Sequence, residues 1–124
     1  MKEISGKCKS VRVFVAEDTK FDGKLLYQAI VERLLKEGIA GATVTRGIMG
    51  YGSAAHIHSI RFVEVMEHLP VMVEFVDVPA RAKQALHMIT EMLPKHCLVT
   101  VQDVHVAHYY VPDGKHKPSS HGWD

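Results

Sequence analysis

A chain of 124 residues with 47% hydrophobic content has the size of one ordinary domain with a real core, and no second domain is expected. Fifteen basic residues against fourteen acidic ones leave a net charge of +1 with the histidines neutral. That balance lacks the global field of a nucleic-acid binder, so no nucleic-acid partner is expected. Cys8 and Cys97 form no C-x-x-C pair, Met1 to Ser10 lacks the apolar core of a signal peptide, and no apolar run is long enough to span a bilayer. A cytoplasmic protein without direct membrane insertion is therefore expected.

Residues 1–10 are polar and read as a flexible arm. Val11, Val13 and Val15 then alternate with Arg12, Phe14 and Ala16, the period of a first strand. From Lys24 the period changes: Leu26, Ile30 and Leu34 recur at i, i+4 and i+8, with Leu25 and Ala29 beside them, which predicts an amphipathic helix. Asp22 is its expected N-cap and Gly38 its stop, and Glu32 and Lys36 lie one turn apart on the solvent side.

Ala42 to Thr45 and Ile57 to Val65 read as two strands flanking a glycine-rich stretch. After the break at His68-Leu69-Pro70, Val71, Val73 and Phe75 alternate with Met72, Glu74 and Val76 as a further strand. Pro79 suits the first position of a second helix that buries Ala82, Leu86, Ile89 and Leu93 and ends at Pro94. The last strand spans Leu98 to Val106. Its apolar phase changes between Val99 and Val101 on one side and Val104 and Val106 on the other, which predicts a bulge near Gln102 or Asp103. Residues 108–124 read as a flexible tail, so the folded domain is 11–107.

This order predicts an α+β, ferredoxin-like βαββαβ fold, a four-stranded antiparallel sheet with both helices on one face. Pleat alternation sends Phe14, Met72 and Val76 to the open face. Covering that face predicts either oligomerisation through the sheet or a tail folded over it.

The stretch from Thr43 to Ser59 is where chemistry concentrates. Gly47, Gly50 and Gly52 permit positive φ and close backbone approach, so amides can point at an anion, and Arg46 adds a permanent charge beside them. The spacing G-x-x-G-x-G matches neither the dinucleotide fingerprint nor a P-loop.

Gly50-Tyr51-Gly52-Ser53, followed by Leu69-Pro70-Val71-Met72-Val73-Glu74-Phe75-Val76, resembles the PII signal-transduction proteins, whose T-loop begins at a Gly-aromatic-Gly and whose next strand begins with Leu-Pro. A closer resemblance is to the PII-like family called domain of unknown function 190. It is carried by Glu17-Asp18, Gly23-Lys24-Leu25-Leu26-Tyr27, Gly41-Ala42-Thr43-Val44, Arg46-Gly47 and Gly50-Tyr51-Gly52. The resemblance implies a homotrimer with its sheets packed at the centre, and a small anionic ligand of adenine-nucleotide type bound in clefts between subunits. It further implies a regulatory role exerted on a partner such as a transporter or enzyme through a T-loop-like segment, residues 46–58. Arg46, Gly47, Gly50, Tyr51, Gly52 and Ser53 form the loop root by this likeness, with Glu17 and Lys24 nearby. Ser53 stands where PII proteins carry arginine.

Nine histidines keep a metal-binding trimer, comparable to the copper-tolerance protein CutA, as the alternative. His56 and His58, two apart on a predicted strand, share a face and are its candidate ligands. No catalytic set emerges. Glu17 and Asp18 are adjacent and point apart on an extended chain, so they are expected to satisfy loop amides, or Glu17 to pair with Lys24 or Arg46, rather than to form an acid–base couple. Cys97 reads as a small buried residue, and an enzyme is not expected.

Overall fold

Alternating valines organise the chain. The computed structural model describes residues 2–52 and 68–111. Its elements are β1 (Lys2–Glu3), β2 (Gly6–Ala16), β3 (Lys20–Phe21), β4 (Lys24–Leu25), α1 (Leu26–Lys36), β5 (Ala42–Arg46), β6 (Pro70–Asp77), α2 (Pro79–Thr90), β7 (Leu98–Val106) and β8 (Tyr110–Val111). The main sheet is antiparallel in the order β5-β6-β2-β7, with two helices, which is the ferredoxin-like α+β arrangement. The partner of β5 is β6. The strand expected at Ile57 to Val65 lies outside the described residues.

One face of the sheet meets the helices. Val11, Val13 and Val15 of β2 and Val71, Val73 and Phe75 of β6 pack against Leu26, Ile30 and Leu34 of α1 and against Ala82, Ala85 and Ile89 of α2. Each fully buried aliphatic or aromatic side chain contributes about 1.5–3 kcal/mol, so this cluster dominates the stability. The expected stripe of α1 is the one observed. In α2, Leu86 is half-buried and Ala85 takes the inner place beside Ala82 and Ile89. The helix stops at Thr90, because the ring of Pro94 would meet the Thr90 carbonyl, and Leu93 packs from beyond its end.

The caps correct one expectation and match two. Leu25 is the N-cap of α1. Asp22 and Gly23, at φ 51° and 79°, are the two central residues of the β3–β4 hairpin, the positive-φ pair that a type I′ turn requires. The start of α1 is tied down when Leu26 N–H donates to the Thr19 carbonyl at 2.8 Å. Gly38, at φ 77°, ends the helix in a Schellman arrangement: its N–H donates to the Leu35 carbonyl, and Ile39 N–H donates to the Leu34 carbonyl, both at 3.1 Å. Pro79 opens α2 as expected.

The predicted bulge is absent. β2 and β7 pair in unbroken register from Gly6↔Val106 to Phe14↔Leu98. The apolar phase changes because the two faces of this ribbon are covered at different places. Val99 lies beside Val13 under the helices. Cys8, Val104 and Val106 point to the opposite face, where Ile4, Ala40, Tyr109 and Val111 cover them. The central strand therefore begins at Gly6, inside the stretch read as an arm, and β1 pairs with β8, whose residues fall inside the stretch read as a tail. Residues 112–124 lie outside the described set.

At the other end of that second face Phe14 and Met72 are half-buried, and Leu98, opposite Phe14, is 58% exposed. Between the two ends, Arg12 Nε donates to Glu74 at 2.7 Å and Ser10 Oγ donates to the same carboxylate oxygen at 3.2 Å. Among the described residues, no helix is long and apolar enough to cross a membrane.

Candidate functional site

Arg46 closes β5 opposite Val71, and the glycine-rich stretch starts at the next residue. Gly47 N–H donates to the Pro70 carbonyl at 2.7 Å, extending the β5–β6 pairing by one bond. A Cβ on Gly47 would stand 2.8 Å from Pro70 Cγ and 3.3 Å from its carbonyl oxygen, and one on Gly50 would stand 2.9 Å from Pro70 Cγ. These two glycines thus let the chain fold flat onto the proline ring. Positive φ plays no part in this, because Gly6, Gly23 and Gly38 are the described glycines at positive φ. The close approach that these glycines permit here is to Pro70. A Cβ on Gly52 would meet nothing within 4 Å among the described residues. The residues between the glycines face solvent, with Ile48 86% and Tyr51 73% exposed.

Two adjacent acids flank this root. The Arg46 guanidinium donates to Glu17 Oε1, and His68 Nδ1 lies 2.6 Å from Asp18 Oδ2. Glu17 N–H donates to the Leu69 carbonyl at 2.9 Å, fixing the acids to the frame that carries Leu69 and Pro70. The pointing-apart of Glu17 and Asp18 is realised: each takes its own partner, Arg46 and His68, on opposite ends of the stretch between residues 46 and 68. Lys24, by contrast, pairs with Glu32 at 2.7 Å on the surface of α1. Together with the Gln28 amide it holds the Glu32 carboxyl below the usual range. Glu32 therefore pairs backward, with Lys24 rather than with Lys36, and the second surface pair of the helix is Arg33–Glu37.

Of the expected site residues, the structure brings together Arg46, Gly47, Gly50 and Glu17, leaves Tyr51 and Gly52 exposed beside them, and places Lys24 elsewhere. Ser53, His56 and His58 lie outside the described residues. His68 is the residue that sequence reasoning missed. Its φ of 50°, unusual for a non-glycine, and its place before Leu-Pro mark a fixed corner that a strand-breaking reading registered only as a break. Among the described residues, no group of three His, Cys, Asp or Glu side chains is placed to hold a metal.

Cys97 is half-buried rather than buried, packed against the main core. Its thiol donates to the Phe14 carbonyl at 3.1 Å, and burial pushes its pKa up. Less thiolate is then present at neutral pH, so alkylation of Cys97 by iodoacetamide at pH 7.5 is expected to run at least several-fold slower than that of a free thiol. A rate equal to that of glutathione would show the site to be open.

An apolar groove of about 450 Å³ lies between α2 and the β2–β7 ribbon, floored by Val11, Leu86 and Val101 and rimmed by Lys9 and Lys83. Lys9 is already paired with Asp103. The groove lacks the converging polar groups found at the loop root, and the root remains the better candidate.

A four-stranded ferredoxin-like sheet with a Gly-aromatic-Gly root opposite a Leu-Pro strand start defines a PII-like fold, and solved structures agree. The protein CPII from Thiomonas intermedia K12, described as bound to ADP and bicarbonate, superposes with a TM-score of 0.58 at 17% identity, covering 86% of this chain and 92% of its own. A putative PII-like signalling protein from Thermus thermophilus gives 0.56 at 21% identity, covering 86% and 94%. The chain belongs to the DUF190 family, described as Uncharacterized ACR, whose model matches residues 8–106. A UPF0166 protein of Aquifex aeolicus is 39% identical over 101 residues, 81% of this chain and 93% of the relative. One of Methanocaldococcus jannaschii is 34% identical over 100 residues, 81% and 92%. These names denote uncharacterised and signalling proteins rather than enzymes.

Proposed function

We propose that this protein is a PII-like regulator that binds an adenine-nucleotide-type anion at clefts between subunits of a homotrimer. It acts on a transporter or enzyme partner through residues 46–58. The observation that carries the reading is the exposed Arg46 guanidinium, held at the root of a glycine stretch that lies flat on Pro70, on a fold shared with a protein solved with ADP. An arginine fork suits phosphate oxygens, and a backbone without side chains admits a ligand close to its amides. The trimer is supported by Leu98, 58% exposed beside the half-buried Phe14 and Met72 at one end of the sheet's second face. The exposed Ile48 and Tyr51 suit a segment read by another protein.

The test is calorimetric titration of the parent protein and Arg46→Ala with ADP, AMP and ATP, with the oligomer mass fixed by light scattering. Arg46→Ala is expected to weaken the bound nucleotide about tenfold, which corresponds to about 1.4 kcal/mol. Equal affinities in parent and variant would remove Arg46 from the site. Binding of a divalent metal and of no nucleotide would transfer the case to His56 and His58.

A further inference from the structure

We infer that Glu17 is an internal competitor for the anion on Arg46, so that ligand binding is an exchange of one anion for another rather than the filling of an idle cation. The inference rests on the reading of Arg46 as the ligand's contact.

The geometry separates a fixed partner from a movable one. Glu17 follows β2, the strand flanked on both sides in the main sheet, and its own N–H is bound to the Leu69 carbonyl at 2.9 Å. Arg46 ends β5, which among the described residues is an edge strand, and its side chain is 63% exposed against 30% for Glu17. The guanidinium therefore has more room to turn than the carboxylate. A phosphate approaching Arg46 meets a guanidinium already donating to Glu17 Oε1, with the Glu17 charge beside the site. To take the full fork of donors it must displace that carboxylate, and any geometry that keeps both places two anions on one cation.

Displacement has a structural consequence. Arg46 and His68 are tied to adjacent acids, Glu17 and Asp18. An anion that captures Arg46 releases the first tie and leaves the second, so occupancy of the site changes how the glycine stretch is held at its entry. Lys24 offers Glu17 no substitute cation, since it is engaged with Glu32.

The experiment uses Glu17→Gln, Asp18→Asn and Arg46→Ala in the full chain, titrated with ADP and with inorganic tripolyphosphate near 0.15 M salt, where charges more than about 8 Å apart are largely screened. Glu17→Gln is expected to bind both probes three- to tenfold tighter than the parent. Asp18→Asn removes the same charge one residue away without freeing Arg46, and is expected to stay within twofold. If Glu17→Gln misfolds, as judged by circular dichroism, Glu17→Asp shortens the acid and is expected to tighten binding in the same direction. Binding by the folded Glu17 variant that is unchanged or weaker would show that Glu17 aims Arg46 at the ligand, and would overturn the competition. An Asp18→Asn effect equal to that of Glu17→Gln would also overturn it, because bulk charge would then explain both. Should Arg46→Ala bind as the parent does, or no protein bind either probe, the underlying reading of Arg46 falls as well. Weakening in Arg46→Ala without tightening in the Glu17 variant defeats the competition alone.

Discussion

Asp77→Ala is expected to lower the unfolding free energy by about 3–4 kcal/mol, although Asp77 lies outside the proposed site. Its side chain is 1% exposed at the junction of β6 and α2. One carboxylate oxygen accepts from Val78 N–H at 2.7 Å. The other accepts from Ala40 N–H at 3.0 Å and Arg81 Nε at 3.4 Å. Arg81 reaches on to the Gly38 carbonyl and to the Glu37 carbonyl at 3.4 Å, so the acid and its arginine clip the end of α1 to the start of α2. Ala40 is 2% exposed, and its orphaned amide alone costs about 1–3 kcal/mol once the acceptor is gone. Loss of the charged partner of Arg81 and of the Val78 contact accounts for the rest. Asp77→Asn keeps one carbonyl acceptor and the side-chain shape, and is expected to lose about half as much. Urea unfolding at constant m checks both, and a loss below about 1 kcal/mol in Asp77→Ala would mean that water replaces the carboxylate.

The fold was legible where periodicity was strong and where glycine or proline had one mechanical job. The valines at 11, 13 and 15 and the stripe Leu26, Ile30 and Leu34 could belong only to a strand and a helix facing one core, and Gly38 and Pro79 took their expected places at the helix ends. The phase change in β7 was read correctly as a signal and wrongly as a bulge. A strand whose cover changes faces along its length produces the same pattern, and what covers each face is a tertiary fact. Asp22 failed for a related reason: Asp before Gly serves a helix cap and a type I′ turn alike, and the two-residue strands that decide the matter are too short to show a period. At the candidate site, Arg46 and the glycines were visible as residue types. Their common neighbour Pro70, and the sharing-out of Glu17 and Asp18 between Arg46 and His68, depend on contacts across at least twenty residues and leave no local trace.

Gly47→Ala should therefore damage the root more than an exposed glycine substitution ordinarily does. The added methyl would meet Pro70 Cγ at 2.8 Å and the Pro70 carbonyl oxygen at 3.3 Å, and neither a pyrrolidine ring nor a backbone carbonyl paired in the sheet can swing aside as a long side chain can. Relief requires the chain to lift away, which stretches or breaks the 2.7 Å bond from residue 47 N–H to the Pro70 carbonyl. Overpacking of this kind costs about 1–3 kcal/mol and the lost bond about 1 kcal/mol, and because breaking the bond relieves part of the overlap the expected total is about 2–3 kcal/mol. The cost falls on the end of β5, so it is read best by amide exchange. The residue 47 amide is expected to exchange roughly 30-fold to 150-fold faster, the equivalent of that energy, while Val13 at the sheet centre changes little. Gly47→Ala combined with Pro70→Ala removes the ring, and most of the protection should return, leaving an interaction energy of about 1–2 kcal/mol between the two positions. Exchange at residue 47 that is unchanged in the single variant would show that β5 can slide off Pro70 without penalty. The glycine would then be there for the ligand's approach alone, and Gly47→Ala would weaken ADP without loosening the root.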